Sequence, residues 1–138
     1  MKPLLTIAIP TWNNLDQLGW CLKSLFKYTE YPLNVIIVDN GGKGEVKFEL
    51  DLGNNINNKL PITVIEPKEN LGWMGAINLA LKDCETEYFC MLNDDVVFLP
   101  NQLGFWRVFL SNLDEEKVGA VNPCSNFVAG AQSLMFID

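Results

Sequence analysis

The stretch LLTIAI (Leu4–Ile9) is followed at once by the polar segment PTWNN (Pro10–Asn14). A strand with one face in water alternates apolar and polar residues, whereas an unbroken apolar run is typical of a strand covered on both faces. Four more short runs have the same character: VIIV (Val35–Val38), ITVI (Ile62–Ile65), YFCML (Tyr88–Leu92) and VGAV (Val118–Val121). The sequence therefore predicts a set of short, buried strands.

Segments with helical spacing separate these runs. Three apolar stripes are present: Leu15, Leu18, Leu22, Leu25 and Phe26; then Leu71, Met74, Ile77 and Leu81; then Leu103, Trp106 and Leu110, with Pro100 as a first-turn residue. Alternating strands and helices predict an α/β fold, a mostly parallel sheet with helices on both faces. We expect one domain over residues 1–138, in which Gly41–Pro61 is a partly helical connection and Asn126–Asp138 a further pair of strands.

The composition narrows the possible functions. The chain has 138 residues, enough for one domain with a core, and a net charge of −7 without a basic run. That charge argues against a nucleic-acid or anionic-membrane surface. The absence of histidine excludes His-based triads and Cys/His zinc sites, and the four cysteines lack C-x-x-C spacing, so we expect buried, reduced thiols. No stretch approaches the roughly 20 apolar residues of a membrane span, and we expect a cytoplasmic protein.

Polar segments follow the first four predicted strands. In an open parallel sheet, ligands bind beyond the carboxyl ends of the strands. The four segments are PTWNN (Pro10–Asn14), DNGG (Asp39–Gly42), EPKENLGWMG (Glu66–Gly75) and NDD (Asn93–Asp95). Among the tryptophans, which pack in cores or lids more often than they stack on ligands, only Trp12 and Trp73 lie in these segments.

The acidic pair after YFCML indicates a metal site. If the strand geometry continues, Asn93 and Asp95 face one way and Asp94 the other, so one carboxylate reaches a cation while its neighbour binds another group, such as a ribose hydroxyl. A solvated pair of loop carboxylates is the alternative. Together with Asp39 the pair would repel a diphosphate, and a bound Mg²⁺ or Mn²⁺ would reverse that field. Oxygen ligands without histidine favour these ions over zinc.

The other strand-end residues each have two interpretations. Gly72 and Gly75 lie at or just inside a predicted helix start. Glycine there allows the backbone to approach a ligand closely, and the free N–H groups of the helix start suit a phosphate. Close packing of the helix on the sheet explains the two glycines equally well. Asn70 is also a candidate N-cap and Asn78 a candidate polar-face residue. The carboxylate of Asp39 either accepts a hydrogen bond from the imide N–H of a base or holds the turn that follows.

Four motifs in this order, TIAIPTWNN, VIIVDNGG, NLGWMGAINLAL and CMLNDDVVF, resemble those of family 2 glycosyltransferases, inverting nucleotide-sugar enzymes of GT-A fold. The resemblance covers about residues 4–137 and implies a Rossmann-like nucleotide-binding half. It implies that Asp95 holds Mn²⁺ or Mg²⁺ and that Asp94 or Asn93 contacts the ribose. By the same resemblance, a further set of residues lines or borders the nucleotide site: Pro10, Thr11, Asp39, Asn70, Gly72 and Asn78.

Two departures from the family pattern stand out. Many members have arginine directly before the residue that matches Asn78, where this chain has Ile77, so base recognition is a point of difference. The family's catalytic base is an acidic residue downstream of a segment resembling GAQSLMFID, after which this sequence ends at Asp138. No base is placed, and we expect either the donor-binding portion of a longer protein or a short form that needs a partner.

The resemblance implies metal-assisted, inverting transfer of a sugar from a nucleotide-diphosphate sugar to a hydroxyl of a glycan, lipid-linked or protein acceptor. The alternative is a non-catalytic nucleotide-sugar-binding or assembly module. A dehydrogenase of similar topology would carry G-x-G-x-x-G after the first strand, where PTWNN stands. The sequence does not specify the sugar, the base, the acceptor or the oligomeric state.

Overall fold

The computed structural model describes residues 3–29, 31–47, 61–100, 105–113 and 118–121. The chain divides into two compact units, Met1–Leu103 and Gly104–Asp138. The elements of the first unit are β1 (Leu5–Thr11), α1 (Leu15–Tyr28), β2 (Leu33–Asp39), β3 (Ile62–Ile65), α2 (Gly72–Lys82) and β4 (Tyr88–Met91). The second unit contains α3 (Phe105–Leu113). A single domain over residues 1–138 stays a prediction.

The four strands form one parallel sheet in the order β3-β2-β1-β4. Parallel pairing brings all four carboxyl ends to the same edge: Thr11 pairs with Asp39, and Ala8 pairs with Met91. The first two strands are buried almost throughout, as their unbroken apolar runs predict. The predicted α/β fold with a parallel sheet is confirmed.

Both faces of the sheet are covered. Ala8, Ile36 and Val38 belong to a buried cluster with α2, whereas Ile7 and Ile37, which alternate with them along the strands, are fully buried on the opposite face. In α1 the predicted stripe is confirmed at its centre by three buried residues, Leu18, Leu22 and Leu25. This two-sided burial fixes the strand ends, and with them the polar residues that follow.

The buried face of α2 differs from the predicted one. Three of the four predicted stripe residues are largely exposed: Leu71, Met74 and Leu81. The buried residues of α2 are Ala76, Ile77 and Ala80. Two alanines allow the helix backbone to approach the strands closely, and this close packing determines which side faces the core.

The remaining sequence predictions have mixed outcomes. The strand predicted at Val118–Val121 is wrong: these residues are described and form no strand, and the exposed Gly119 and Ala120 offer little apolar surface to bury. In α3 the predicted stripe residues Trp106 and Leu110 are buried.

Other predicted features fall partly or wholly outside the described residues. Pro100 lies five residues before the described start of α3, and Leu103 lies outside the described residues. Residues 45–47 are helical, while the rest of the predicted connection to residue 60 lies outside the described residues, as does the predicted strand pair Asn126–Asp138. Among the residues described here, none belongs to a helix that is long and apolar enough to cross a membrane.

Candidate functional site

The end of β1 is joined to the acidic pair by a short hydrogen bond. The hydroxyl of Thr11, the last residue of β1 and only 3% exposed, donates to Asp94 Oδ2 at 2.7 Å. The side-chain amide of Asn14 donates to the same oxygen at 3.3 Å. The backbone N–H of Leu92 donates to Ala8 O at 3.0 Å, which continues the strand pairing beyond β4. The structure thus brings Asp94 onto the loop that follows β1.

The carboxylate of Asp39 holds the turn after β2. Asp39 is 4% exposed, and its Oδ1 accepts hydrogen bonds from the N–H groups of Gly41 at 3.0 Å and Gly42 at 3.3 Å. The turn interpretation of Asp39 is therefore correct for this oxygen. Among the described residues, none donates a hydrogen bond to Oδ2. A Cβ at Gly41 would lie 2.8 Å from Asn13 Oδ1 and 3.1 Å from Asp39 Oδ1, so a side chain there would displace the exposed Asn13 and press on the turn acceptor.

The start of α2 is tied to the same edge by Asn40, a residue that the sequence indicated only as part of a turn. Asn40 is 8% exposed; its Oδ1 accepts the N–H of Leu71 at 3.3 Å and its Nδ2 donates to Gly72 O at 3.4 Å. Asn70 Oδ1 accepts the N–H of Gly72 at 2.8 Å, two residues along the chain, and so closes a turn just before α2. The N-cap of α2 is Leu71 and no side chain caps it, so the N-cap role predicted for Asn70 is wrong. Gly72 has φ +65°, a conformation that favours glycine.

The acidic segment also contacts the first turn of α2. The indole N–H of Trp73 donates to Asn93 Oδ1 at 3.2 Å. Asn93 thus points toward α2 while Asp94 points toward the loop after β1, the alternation expected of consecutive residues beyond a strand. Asp95 is exposed in the turn that follows. The segment Asn93–Asp95 therefore lies beside Thr11 and the start of α2, at the edge that also carries Asp39.

Two of the predicted site residues lie apart from this group. Pro10 is buried within β1, opposite Val38, one residue inside the strand end. Asn78 is exposed on α2 and, with a rise of about 1.5 Å per residue, lies roughly 9 Å along the helix from Gly72. Neither side chain makes a hydrogen bond to the other described site residues. The ligand contacts predicted for these two residues stay predictions.

An open cleft of about 500 Å³ separates the loops that follow β1 and β2. Apart from Leu15 its lining is polar and consists of Asn13, Asn14, Asp16, Lys43 and Glu45. A smaller recess beside it reaches Thr11 and Asp39. Both spaces lie at this edge of the sheet, and the smaller recess is bordered by Thr11 and Asp39, which the resemblance assigns to the nucleotide site.

The negative field of the acidic pair extends to a neighbouring thiol. Burial, together with the charges of Asp94 and Asp95, raises the pKa of the Cys21 thiol to about 12. The thiol lies 3.8 Å from Asn93 O. An uncompensated negative charge at this position is the condition under which a divalent cation gains most from binding.

The donor set fits a hard divalent cation with external ligands. Within the described residues, no cluster of three acidic or thiol side chains could hold an ion alone. The exposed Asp95 carboxylate accepts no hydrogen bond from a described residue, and Asp94 keeps Oδ1 free while Oδ2 is occupied. Mg²⁺ and related ions are commonly bound by one or two carboxylates that share the ion with phosphates and water. Asp94 and Asp95 suit such a shared site.

Residues 6–123 match the family model described as Glycosyl transferase family 2. The chain belongs to this family. A Rickettsia prowazekii protein named an uncharacterized glycosyltransferase is 29% identical to this family 2 chain over 118 residues, 85% of the chain and 35% of the relative. The teichoic acid poly(glycerol phosphate) polymerase of Staphylococcus epidermidis is 29% identical over 134 residues, 97% of the chain and 18% of the relative. The chain spans about a third or less of these relatives.

Solved structures confirm the GT-A-like fold of this family 2 chain. The mannosyltransferase PcManGT from Pyrobaculum calidifontis, in complex with GDP-Man and Mn²⁺, superposes with a TM-score of 0.76 at 23% identity, over 91% of this chain and 36% of that one. S. aureus TarS in complex with UDP superposes with a TM-score of 0.62 at 26% identity, over 81% of this chain and 32% of that one. The likeness to PcManGT concerns the fold alone.

Proposed function

We propose that this chain binds the donor in a metal-assisted glycosyl transfer, in which a sugar passes from a nucleotide-diphosphate sugar to an acceptor hydroxyl with inversion. The observation that carries the proposal is the 2.7 Å hydrogen bond from Thr11 to Asp94, because it joins the acidic pair to the strand end opposite Asp39. The 26% identical TarS, solved in complex with UDP, supports a nucleotide as the ligand.

The nucleoside would lie over the ends of β1 and β2. Asp39 Oδ1 is occupied by the turn, so Oδ2 is the atom that would accept the imide N–H of a base. Thr11 and Pro10 would line the pocket beside it. The first turn of α2 would offer to the diphosphate its N–H groups other than that of Gly72, which donates to Asn70 Oδ1.

A divalent cation would be held by Asp95 and the free oxygen of Asp94. Bound there, Mn²⁺ or Mg²⁺ would act as a Lewis acid that stabilises the charge of the leaving diphosphate. The hydrogen bond from Thr11 keeps the Asp94 carboxylate oriented toward this position. The cation also offsets the repulsion between the diphosphate and a protein of net charge −7.

The proposal assigns donor binding to the described residues and no general base among them. An acidic residue elsewhere in the protein or in a partner would activate the acceptor hydroxyl. The acceptor class (glycan, lipid-linked or protein) and a cytoplasmic location stay predictions. Nucleotide binding without transfer by the natural full-length product would favour the non-catalytic binding module.

Asp95→Asn tests the metal role. We expect the affinity for UDP or GDP in the presence of Mn²⁺ to fall about tenfold or more, because one charged ligand contributes about 1.5–3 kcal/mol, with the fold unchanged. Isothermal titration with and without Mn²⁺ measures this. Asp83→Asn, at the exposed C-terminal end of α2, makes the same charge change away from the site and should leave affinity unaltered. Unchanged affinity in Asp95→Asn would refute the assignment.

Asp39 is expected to select the base. Asp39→Ala should relax selectivity but also removes the turn acceptor, so Asp39→Asn is the cleaner variant: it retains one oxygen for the turn and replaces the other with an amide that repels an imide N–H. Competition binding should show that uridine, guanosine and thymidine diphosphates lose their advantage over ADP, whose base has no imide N–H. A variant that ranks all four as the wild type does would count against this role.

A further inference from the structure

Trp73 fixes the orientation of the Asn93 side chain. Its indole N–H donates to Asn93 at 3.2 Å, and an indole N–H is a donor only. The amide atom that faces Trp73 must therefore be the oxygen, Oδ1. Because the amide group is planar, the two N–H bonds of Nδ2 then point away from the indole.

The second oxygen of Asn93 is also occupied. The thiol of Cys21 lies 3.8 Å from the backbone carbonyl oxygen of Asn93, in donor geometry. Both oxygens thus have partners within the protein, whereas the Nδ2 group donates to none of the described residues. What Asn93 offers to the open edge of the sheet is consequently a pair of hydrogen-bond donors.

We infer that Trp73 is a positioning residue that presents Asn93 to the donor nucleotide as a hydrogen-bond donor and not as a metal ligand. The inference rests on the proposed function, since it concerns how the same site contacts its nucleotide. The group that Asn93 recognises is an oxygen acceptor, either a ribose hydroxyl or a diphosphate oxygen. In this division, Asp95 binds the cation and Asn93 binds the nucleotide.

The exposure of Trp73 agrees with a role at the site and not in the core. Trp73 is 44% exposed, and the next residue, Met74, is 62% exposed, so this turn of α2 is not anchored by apolar burial. The start of α2 is held instead by polar contacts, from Asn40 on one side and Asn93 on the other. Removing the indole N–H should therefore alter Asn93 without unfolding the helix.

Trp73→Phe keeps an aromatic ring and removes the N–H. We expect the Mn²⁺-dependent affinity for UDP to fall about two- to tenfold, the effect of one neutral hydrogen bond. In an Asn93→Ala background the same substitution should have no further effect, because Trp73 acts through Asn93. Trp20→Phe, at a 62% exposed position on α1, is the matched control and should change nothing. The inference would be overturned if Trp73→Phe lowered UDP affinity as much in the Asn93→Ala background as in the wild type, or if it did not lower UDP affinity in the wild type.

Asn93→Asp separates a donor from a metal ligand. A carboxylate still accepts the indole N–H but cannot donate, so it repels a diphosphate oxygen, whereas a ribose hydroxyl can reverse its role and donate to it. UDP affinity should therefore fall about tenfold if the partner is the diphosphate. In either case the affinity for Mn²⁺ measured without nucleotide should change little, and binding of Mn²⁺ alone that is tighter by about tenfold or more would show a metal ligand and overturn the inference. Analogues of UDP identify the acceptor. If Trp73→Phe abolishes the preference for UDP over its 2′- or 3′-deoxy form, Asn93 contacts the ribose. If Trp73→Phe lowers UDP affinity but leaves that preference unchanged, Asn93 contacts the diphosphate.

A measurement without nucleotide tests the contact itself. The indole N–H resonance of Trp73, assigned by its loss in Trp73→Phe, should exchange faster with solvent in Asn93→Ala than in the wild type. Equal exchange rates would overturn the inference whatever the protein binds. If the wild type binds no nucleoside diphosphate with Mn²⁺, the proposed function fails and the role in nucleotide binding fails with it, even where the exchange result confirms the contact.

Discussion

Thr11→Val removes the hydroxyl that holds Asp94 and keeps the β-branched shape that suits a strand. Thr11 is 3% exposed, so valine adds one buried methyl group in place of a polar atom, and the backbone pairing of β1 is unaffected. The variant therefore isolates one hydrogen bond between the first strand and the acidic pair.

The magnitude follows from the environment of Asp94. A hydrogen bond to a charged group contributes about 1.5–3 kcal/mol, but Asp94 is only partly buried and keeps a second donor, Asn14, at 3.3 Å. We therefore expect the free energy of unfolding to fall by about 1 kcal/mol. With an m-value of about 2 kcal/mol/M, the urea midpoint should fall by about 0.5 M. Nucleotide affinity should fall about fivefold, because Asp94 is less well oriented.

Urea denaturation followed by far-UV circular dichroism measures this change. Thr63→Val on the exposed side of β3 makes the same substitution without loss of a hydrogen bond to a described residue, and should stay within about 0.5 kcal/mol of the wild type. In an Asp94→Ala background, Thr11→Val should have no destabilising effect. Equal stability of Thr11→Val and wild type, or an undiminished loss in that background, would refute the reasoning.

Gly41→Ala should destabilise the protein by about 1 kcal/mol and weaken nucleotide binding, because the new Cβ would displace the exposed Asn13 side chain and lie 3.1 Å from Asp39 Oδ1, which holds the turn. Gly19→Ala, with open space around the same addition in α1, should be neutral or stabilising by up to about 1 kcal/mol in the same thermal unfolding assay. Iodoacetamide labelling of the native protein at pH 8, read by peptide mass spectrometry, should modify Cys84 before Cys21. Burial raises the pKa of Cys84, but hydrogen bonds outweigh it and lower the net pKa, whereas the pKa of Cys21 is raised to about 12. Since an unfolded thiol ionises near pH 8.5, the raised pKa of Cys21 should make stability fall as the pH rises from about 8.5 toward 12, and Cys21→Ala should reduce that slope.

The parallel sheet was predictable because its signal is local. Each of the four described strands contains a short apolar run that a polar segment follows, and the run at Ile62–Ile65 coincides with β3. Once the strands are parallel, their carboxyl ends share one edge, so the proximity of Thr11 and Asp39 follows from topology.

The face of α2 and the contacts of Asn40 were not predictable in this way. The large apolar residues of α2 and its alanines Ala76 and Ala80 both recur at helical spacing, so the sequence is consistent with either face packing on the sheet. Which face is buried depends on how closely the helix approaches the sheet, and the sequence does not specify that distance. Asn40 bonds Leu71 and Gly72, more than thirty residues away. Its sequence neighbours indicate a turn, and nothing near it in the chain specifies the partner.

The way the acidic pair is held explains why it suits a cation. The donors on Asp94 are the neutral groups of Thr11 and Asn14, which orient the carboxylate without cancelling its charge. Among the described residues the ion pair is Lys47–Glu66, in a different part of the sheet edge. Because the groups that orient Asp94 are neutral, the negative charge of Asp94 and Asp95 is not cancelled. After burial, this charge is the second cause of the raised pKa of the nearby Cys21 thiol. A lysine or arginine paired with Asp94 would stabilise the protein without a bound ion, but its positive charge would weaken the attraction of the site for a divalent cation.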